Sequence, residues 1–319
     1  PWETAQAVER SRDSVAAFFG LPSPERFLFT SGGTAALQLA VQGTTWRSGD
    51  AVITSALEHE ALAGPVRALV RNCGIEHVVA PRSADGPIDL DAVEKRLAQG
   101  GVRLVAVTHA SNVTGEFLPL DELVPMAHAH GARVLLDAAQ TAGLLPLDIT
   151  ALGVDAFAFT GHKALLGPAG LGGLWVGPGL RMGLVTGSCT ESEACVADPP
   201  LSWCEVGSAN AAAIAGLAAS LAWIEQQGLD ALRERQVALT TALLNGLAGI
   251  DGLRVLGGGA PTSRSHALSV VAQATAPVDL ERRLADEHGL RCRAGEHCAP
   301  LAHEALGTRV GGTLRISLG

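Results

Sequence analysis

Short apolar runs alternate with amphipathic segments along the first half of the chain, and no other property of the sequence narrows its fold as far. The runs "RFLFT" (26–30), "AVIT" (51–54), "EHVVA" (76–80), "VRLVAVTHA" (102–110), "ARVLLDAA" (132–139), "DAFAFT" (155–160) and "GGLWV" (172–176) have the length and composition of strands. Between them, "GTAALQLAVQG" (33–43), "EALAGPVRALVRNC" (60–73), "LDAVEKRLAQ" (90–99) and "LDELVPMAHAH" (120–130) repeat apolar residues at three- and four-residue spacing, the period of a half-buried helix. Such alternation predicts an α/β protein, a mostly parallel sheet sandwiched by helices. Sheets of that kind bind ligands at the carboxyl ends of their strands.

From about residue 209 the pattern changes. An Ala-rich helix is expected over 210–227 and a second over 229–249, followed by strands near "HALSVVA" (266–272) and "TLRISL" (313–318). This divides the 319 residues into a large domain, 1–222, and a smaller C-terminal α+β domain, 223–319. The longest uncharged apolar run, "AAAIAGLAASLAWI" (211–224), falls short of the roughly 20 residues a membrane-spanning helix needs, so a membrane partner is not expected. A formal charge of −9 with scattered Lys and Arg argues against nucleic acid. Six cysteines (73, 189, 195, 204, 292, 298) form no CxxC pair, and no secretory signal opens the chain; both point to a reduced, cytoplasmic setting. The stretch "GLVTGSCTESEACVADPPLSWC" (183–204) lacks periodicity and reads as a lid or exposed connection.

Chemistry concentrates where strand runs end. In "VLLDAAQTAG" Asp137 closes an apolar run and Gln140 follows; alone, such an Asp caps the next helix. Lys163, in "FTGHKALLGPAGLGGLWV", comes 163 − 137 = 26 residues later, an interval that holds one further strand and returns to the same sheet edge. Alone it is a lysine in a Gly-Pro loop. Together they are what pyridoxal phosphate requires: the lysine forms a Schiff base, and the acid keeps the pyridine nitrogen protonated so that the ring acts as an electron sink. "TSGGTAAL" (30–37) runs a strand into Gly32-Gly33-Thr34 and a helix, either a plain structural turn or a phosphate site of backbone N–H groups supported by the helix dipole. His59 in "TSALEHEAL" follows another strand, where an imidazole can lie on the ring or serve as an ordinary hydrogen-bonding residue.

Eight segments in consistent order carry a resemblance: "FTSGGTAALQLA", "LEHEAL", "THASNVTGEFLPL", "VLLDAAQTAG", "FTGHKALLGPAGLGGLWV", "EVGSAN", "RAGEHCAPLAH" and "GTLRISLG". The chain resembles the class V aminotransferase-like, fold type I pyridoxal-phosphate enzymes, in particular the cysteine desulfurase and selenocysteine lyase branch. The resemblance implies that Lys163 is the Schiff-base lysine, Asp137 the pyridinium partner, His59 the ring-stacking imidazole and Gln140 a donor to the phenolic oxygen. Gly33, Thr34, Thr160 and His162 match phosphate ligands. Ser208 matches a position that reaches the phosphate of the other subunit, which implies a homodimer. Asn112 and Arg315 match the pair that holds the substrate carboxylate, with Arg293 close by.

Cys298 in "RAGEHC" matches the nucleophile that takes sulfur from L-cysteine as a persulfide and leaves alanine; a sulfur-acceptor protein then receives it. Neighbouring His297 and Arg293 are expected to raise the thiolate fraction of Cys298. The alternatives are a selenocysteine lyase, a C–S β-lyase or an aminotransferase of the same fold, with Cys298 incidental, or a non-catalytic relative of that fold. No metal is expected, since "HAH" (128–130) and His303 lack companions at metal-site spacing and read as helix and loop residues. The chain departs from the family pattern in several places. A site-lining N-terminal segment and the terminal helices are expected outside these 319 residues, Ala35 replaces an acidic residue, and Ser208 replaces a threonine.

Overall fold

The computed structural model describes residues 2–180, 182, 205 and 207–318. In the first half, strands β1 (Phe27–Thr30), β2 (Ala51–Ser55), β3 (Glu76–Ala80), β4 (Val102–Thr108), β5 (Arg133–Asp137), β6 (Ala156–Thr160) and β7 (Gly172–Val176) form one sheet in the order β1-β7-β6-β5-β4-β2-β3. Strand β7 runs antiparallel to both neighbours, while the pairs from β3 through β6 are parallel. All seven expected strands and the four helices between them are present. The helices are α2 (Gly33–Gly43), α3 (Glu60–Cys73), α4 (Leu90–Leu97) and α5 (Leu120–Ala129); a helix α1 (Trp2–Phe18) precedes them and a single turn, α6 (Ile149–Leu152), follows.

The central strands are apolar throughout because both faces are covered. Successive side chains of β5 point to opposite sides: Leu136 joins Phe19, Phe157 and Phe159 beneath α1, α5 and α7 (Ala211–Gln227), and Leu135 joins Leu37, Leu62 and Leu174 beneath α2 and α3. Helix α7 buries Ile214, Leu217, Leu221 and Ile224, a three- and four-residue stripe that faces α1.

The rest of the chain is α8 (Leu229–Ala248), β8 (Leu253–Val255), β9 (Ala267–Ala272), α9 (Pro277–His288), β10 (Arg293–Gly295), α10 (Pro300–Ala305) and β11 (Thr313–Ser317). Its four strands form a separate antiparallel sheet in the order β10-β11-β9-β8. Leucines of α8 and α9 pack with Leu268, Val270 and Leu314 of this sheet. Among the described residues, no helix is long and apolar enough to cross a membrane.

Candidate active site

A cavity of about 210 Å³ opens at the carboxyl ends of the large sheet. Gly33 and Thr34 reach it from the first turn of α2, His59 from just past β2, Thr108 and Asn112 from β4 and the loop after it, Asp137 and Gln140 from the end of β5, and Thr160, His162 and Lys163 from the end of β6. Residues spread over 130 positions therefore meet because parallel strands deliver their ends to one edge. The glycines after Lys163 have a local cause. A Cβ on Gly172 would lie 2.5 Å from the carbonyl carbon of Gly32 and 2.6 Å from the Phe159 oxygen, so only glycine lets β7 pass beneath the turn that opens α2. The Lys163 turn is held by hydrogen bonds from Gly161 N–H to Leu171 O (2.9 Å) and from Gly167 N–H to Gly161 O (2.8 Å).

Asp137 is buried and accepts from the Ala139 N–H at 2.9 Å through Oδ1. Burial raises the proton affinity of its carboxyl, and the Lys163 ammonium opposes that rise. Lys163 shows the converse: burial pushes its pKa down, Asp137 pulls it up, and Arg315 adds to the fall. The two act on each other across the cavity without a direct ion pair, which leaves room between them for a planar group. His59 caps α3, its Nδ1 accepting from Ala61 N–H at 3.0 Å, and burial depresses its pKa. A ring that accepts at Nδ1 and is neutral carries its proton on Nε2. Thr160 Oγ1 and His162 Nδ1 lie 3.1 Å apart beside the N-terminus of α2, where backbone N–H groups favour an anion.

These residues fit pyridoxal phosphate: a buried carboxylate faces an amine of lowered proton affinity across a gap, with an anion-binding helix end to one side.

The second sheet meets the site through Arg315, which acts on both Lys163 and His59. Arg315 Nη1, on β11, donates to the Asn112 carbonyl at 3.1 Å, and Asn112 Nδ2 donates to the His297 carbonyl at 2.8 Å. Arg315 Nε, a donor, and Asn112 Oδ1, an acceptor, are both buried without partners. Cys298 is exposed, and its carbonyl accepts from Glu60 N–H at 2.7 Å, next to His59. The expectation for His297 needs correction. Its ring is buried, bonds Thr313 Oγ1 through Nε2 at 2.9 Å, and has a pKa pushed down to about 3 by desolvation and nearby cations. A neutral imidazole supplies no charge to a thiolate. The cation that interacts with Cys298 is Arg315; Arg293 is exposed and lies opposite Arg315 in the β10–β11 register.

Other expected residues fall elsewhere. Ser208 lines a separate cavity with Ser31 and Ala35. Cys73 is exposed and Cys292 half-buried, both away from the cavity. His128 pairs with Asp155 at 2.8 Å, and His303 lies in α10, not in a loop, bonded to Thr308. The stretch 183–204, with its three cysteines, lies outside the described residues. Two neighbours of the site escaped sequence reasoning. Glu58 is fully buried beneath the cavity, accepting from Ser55 Oγ (2.5 Å) and Thr108 N–H (2.8 Å), with its pKa pushed up to about 8 by desolvation. His266 has its pKa pushed down to about 4 by desolvation, then by Lys163 and Arg315. A charged residue flush against a strand end, as in "SALEH", was the available signal for Glu58.

The aminotransferase class-V family model matches residues 1–319. The chain belongs to that family. This class-V member is 34% identical over 317 residues to a probable cysteine desulfurase 2 of Mycobacterium leprae, an alignment covering 94% of this chain and 74% of that protein. It is 35% identical over 308 residues to a cysteine desulfurase of Dickeya dadantii, covering 92% and 72%. Among solved structures, a cysteine desulfurase from Thermococcus onnurineus NA1 superposes with a TM-score of 0.87 at 29% identity, over 99% of this chain and 80% of that one. The Escherichia coli cysteine desulfurase CsdA gives 0.87 at 28%, over 100% and 80%. The fold is that of the fold type I pyridoxal-phosphate enzymes.

Proposed function

We propose that this protein is a pyridoxal-phosphate-dependent cysteine desulfurase that converts L-cysteine to L-alanine and takes the sulfur onto Cys298. The observation that carries this is the meeting of Lys163, Asp137 and His59 in one cavity, with Arg315 close enough to act on Lys163 and His59 and the Cys298 carbonyl bonded to Glu60 next to His59. Relatives named cysteine desulfurase share about a third of their residues with most of this chain.

Each residue then has a task. Pyridoxal phosphate, when bound, withdraws electrons from the substrate's α-carbon. Lys163 Nζ would hold the cofactor and serve as the base for the α-proton, a task its lowered proton affinity suits. Asp137 would hold the pyridine nitrogen and keep a proton there. His59, neutral and fixed by the Ala61 N–H, covers the ring face and excludes water. Gly33, Thr34, Thr160 and His162 hold the phosphate, and Gln140 donates to the phenolic oxygen. Arg315 offers its unpaired Nε–H to the substrate carboxylate, and Asn112 offers the second N–H of Nδ2, whose first is given to the His297 carbonyl. The Cys298 thiolate, beside the Arg315 cation, forms an S–S bond with the substrate sulfur as the Cβ–S bond breaks.

The same reading includes a homodimer in which Ser208 reaches the partner's phosphate, a large unit over 1–222 and a small one over 223–319, a reduced cytoplasmic setting, L-selenocysteine as a second substrate, and an acceptor protein for the persulfide. Purified protein given L-cysteine and a reductant is expected to yield alanine and sulfide in equal amounts. Cys298→Ala is expected to keep the visible cofactor band and its response to L-cysteine while losing alanine production. A β-eliminating lyase would keep its turnover in that variant, and a protein with bound cofactor but no alanine would overturn the assignment.

A further inference from the structure

Between the two sheets lies a charge cluster that the proposed chemistry does not use. Glu116, 4% exposed, sits in the loop after β4, four residues past Asn112. Both of its oxygens accept from Arg82 Nη2, at 2.8 and 2.9 Å, and Oε1 also accepts from Gly258 N–H at 2.8 Å. Arg264, 2% exposed, lies just ahead of β9 and donates from Nη1 to Thr114 O at 2.9 Å; its charge is attracted by Glu116 and repelled by Arg82. Gly257 has φ +76°, and a Cβ there would come within 2.8 Å of the Glu116 carboxyl, so the backbone is shaped around that side chain.

The cluster ties three separate parts of the chain: the segment after β3 through Arg82, the loop after β4 through Glu116, and the approach to β9 through Arg264. Backbone bonds follow the same seam, from Ser265 N–H to Gly115 O (2.8 Å) and from Phe117 N–H to Ser263 O (3.2 Å). Each end of the seam leads to one member of the Asn112–Arg315 pair. On one side the loop is internally fixed, with Ser111 Oγ accepting from the N–H groups of Val113 and Thr114, so that a shift of Glu116 carries Asn112 with it. On the other, β9 pairs with β11 so that Ser269 stands opposite Arg315. Burying one carboxylate with two guanidinium groups adds little net stability, because desolvation offsets the attraction. Directional bonding between three chain segments does define their relative position.

We propose that Glu116, Arg82 and Arg264 form a clamp between the two sheets that positions Asn112 against Arg315 and thereby sets affinity for the carboxylate of the amino-acid substrate. This rests on the reading of Asn112 and Arg315 as the carboxylate holders. The three are positioning residues and touch neither substrate nor reacting atoms.

The test compares holoenzyme of wild type, Glu116→Gln, Arg82→Ala and Arg82→Lys. Two ligands are titrated against the visible cofactor band: L-cysteine, and 2-aminoethanethiol, which is cysteine without its carboxylate. Steady-state alanine formation is measured in parallel. Glu116→Gln and Arg82→Ala are expected to raise KM and the apparent Kd for L-cysteine about tenfold or more, with kcat and cofactor content unchanged. Binding of 2-aminoethanethiol is expected to stay at the wild-type value, and Arg82→Lys to recover part of the loss. An unchanged Kd for L-cysteine, or an equal loss for both ligands, would overturn the clamp. Should Glu116→Gln not fold, the Arg82 variants, at a side chain 21% exposed, carry the same comparison. A wild type that binds L-cysteine but forms no alanine sinks the desulfurase reading alone, and the two-ligand titration still decides the clamp.

Discussion

His297 and Cys298 have consecutive left-handed backbone angles, φ 52° and 56°, a conformation that costs an L side chain on the order of 1 kcal/mol. Contacts to both carbonyls offset that strain: Asn112 Nδ2 to His297 and Glu60 N–H to Cys298. The thiol is therefore presented from a fixed turn, and Arg315, which interacts with it, is also the proposed holder of the substrate carboxylate. Arg315→Lys keeps that charge but removes the planar fork. We expect KM for L-cysteine to rise about tenfold, a loss of ~1.4 kcal/mol, with a smaller change in kcat, measured by alanine release. An unchanged KM would remove Arg315 from the carboxylate. The residues of the cavity were legible because each ends a strand run, and parallel strands put their ends together. Glu58 and the Glu116 cluster were not, because their deciding partners come from distant segments: Thr108 for Glu58, Arg82 and Gly258 for Glu116. No local spacing encodes such meetings.

At the scale of elements, continuous apolar runs marked every strand of the large sheet and period-3.6 patterns the helices between them, because burial on both faces leaves a strand apolar throughout. The shorter pieces, α6, β8 and β10, escaped notice; segments of three or four residues carry no period. Direction was also hidden, since nothing in "GGLWV" distinguishes the antiparallel β7 from its parallel neighbours. What "GGLWV" does show is its first glycine. Gly172→Ala would drive a methyl into the backbone of Gly32, separating β7 from the turn that begins α2. A destabilisation of about 1–3 kcal/mol is expected from forced overpacking, read as a lower Tm. Cofactor retention should fall with it, because the displaced turn presents Gly33 and Thr34 to the phosphate. Full cofactor occupancy in Gly172→Ala would show that the turn does not hold the phosphate.

Across the whole molecule, buried ionisable groups set a pH window for stability. Burial lowers the pKa of His109 and His266 to about 4 and of His297 to about 3 from an ordinary 6.5, and lowers those of His59, His77 and His303 as well. Below pH 6.5 the unfolded chain therefore binds more protons than the folded one, and their contribution, full above 6.5, is lost as pH falls toward 3. Glu58 has the opposite sign: raised from 4.5 to about 8, its contribution is full below 4.5 and lost as pH rises through 8. Asp137 shifts in the same direction as Glu58, and Lys163 in the reverse. Between 4.5 and 6.5 the histidines outnumber Glu58, and above 6.5 Glu58 acts without them. Tm is thus expected to peak near 6.5 and to decline on both sides, each group contributing at most about 1.4 kcal/mol per pH unit. Glu58→Gln should flatten the alkaline decline up to pH 8 and steepen the rise between pH 4.5 and 6.5, whereas His297→Asn should make the acid side shallower. Melting curves of the three proteins across this range decide it. An alkaline slope identical in wild type and Glu58→Gln would mean that Glu58 is ionised in the folded protein, held by Ser55 and Thr108 as a carboxylate beneath Asp137.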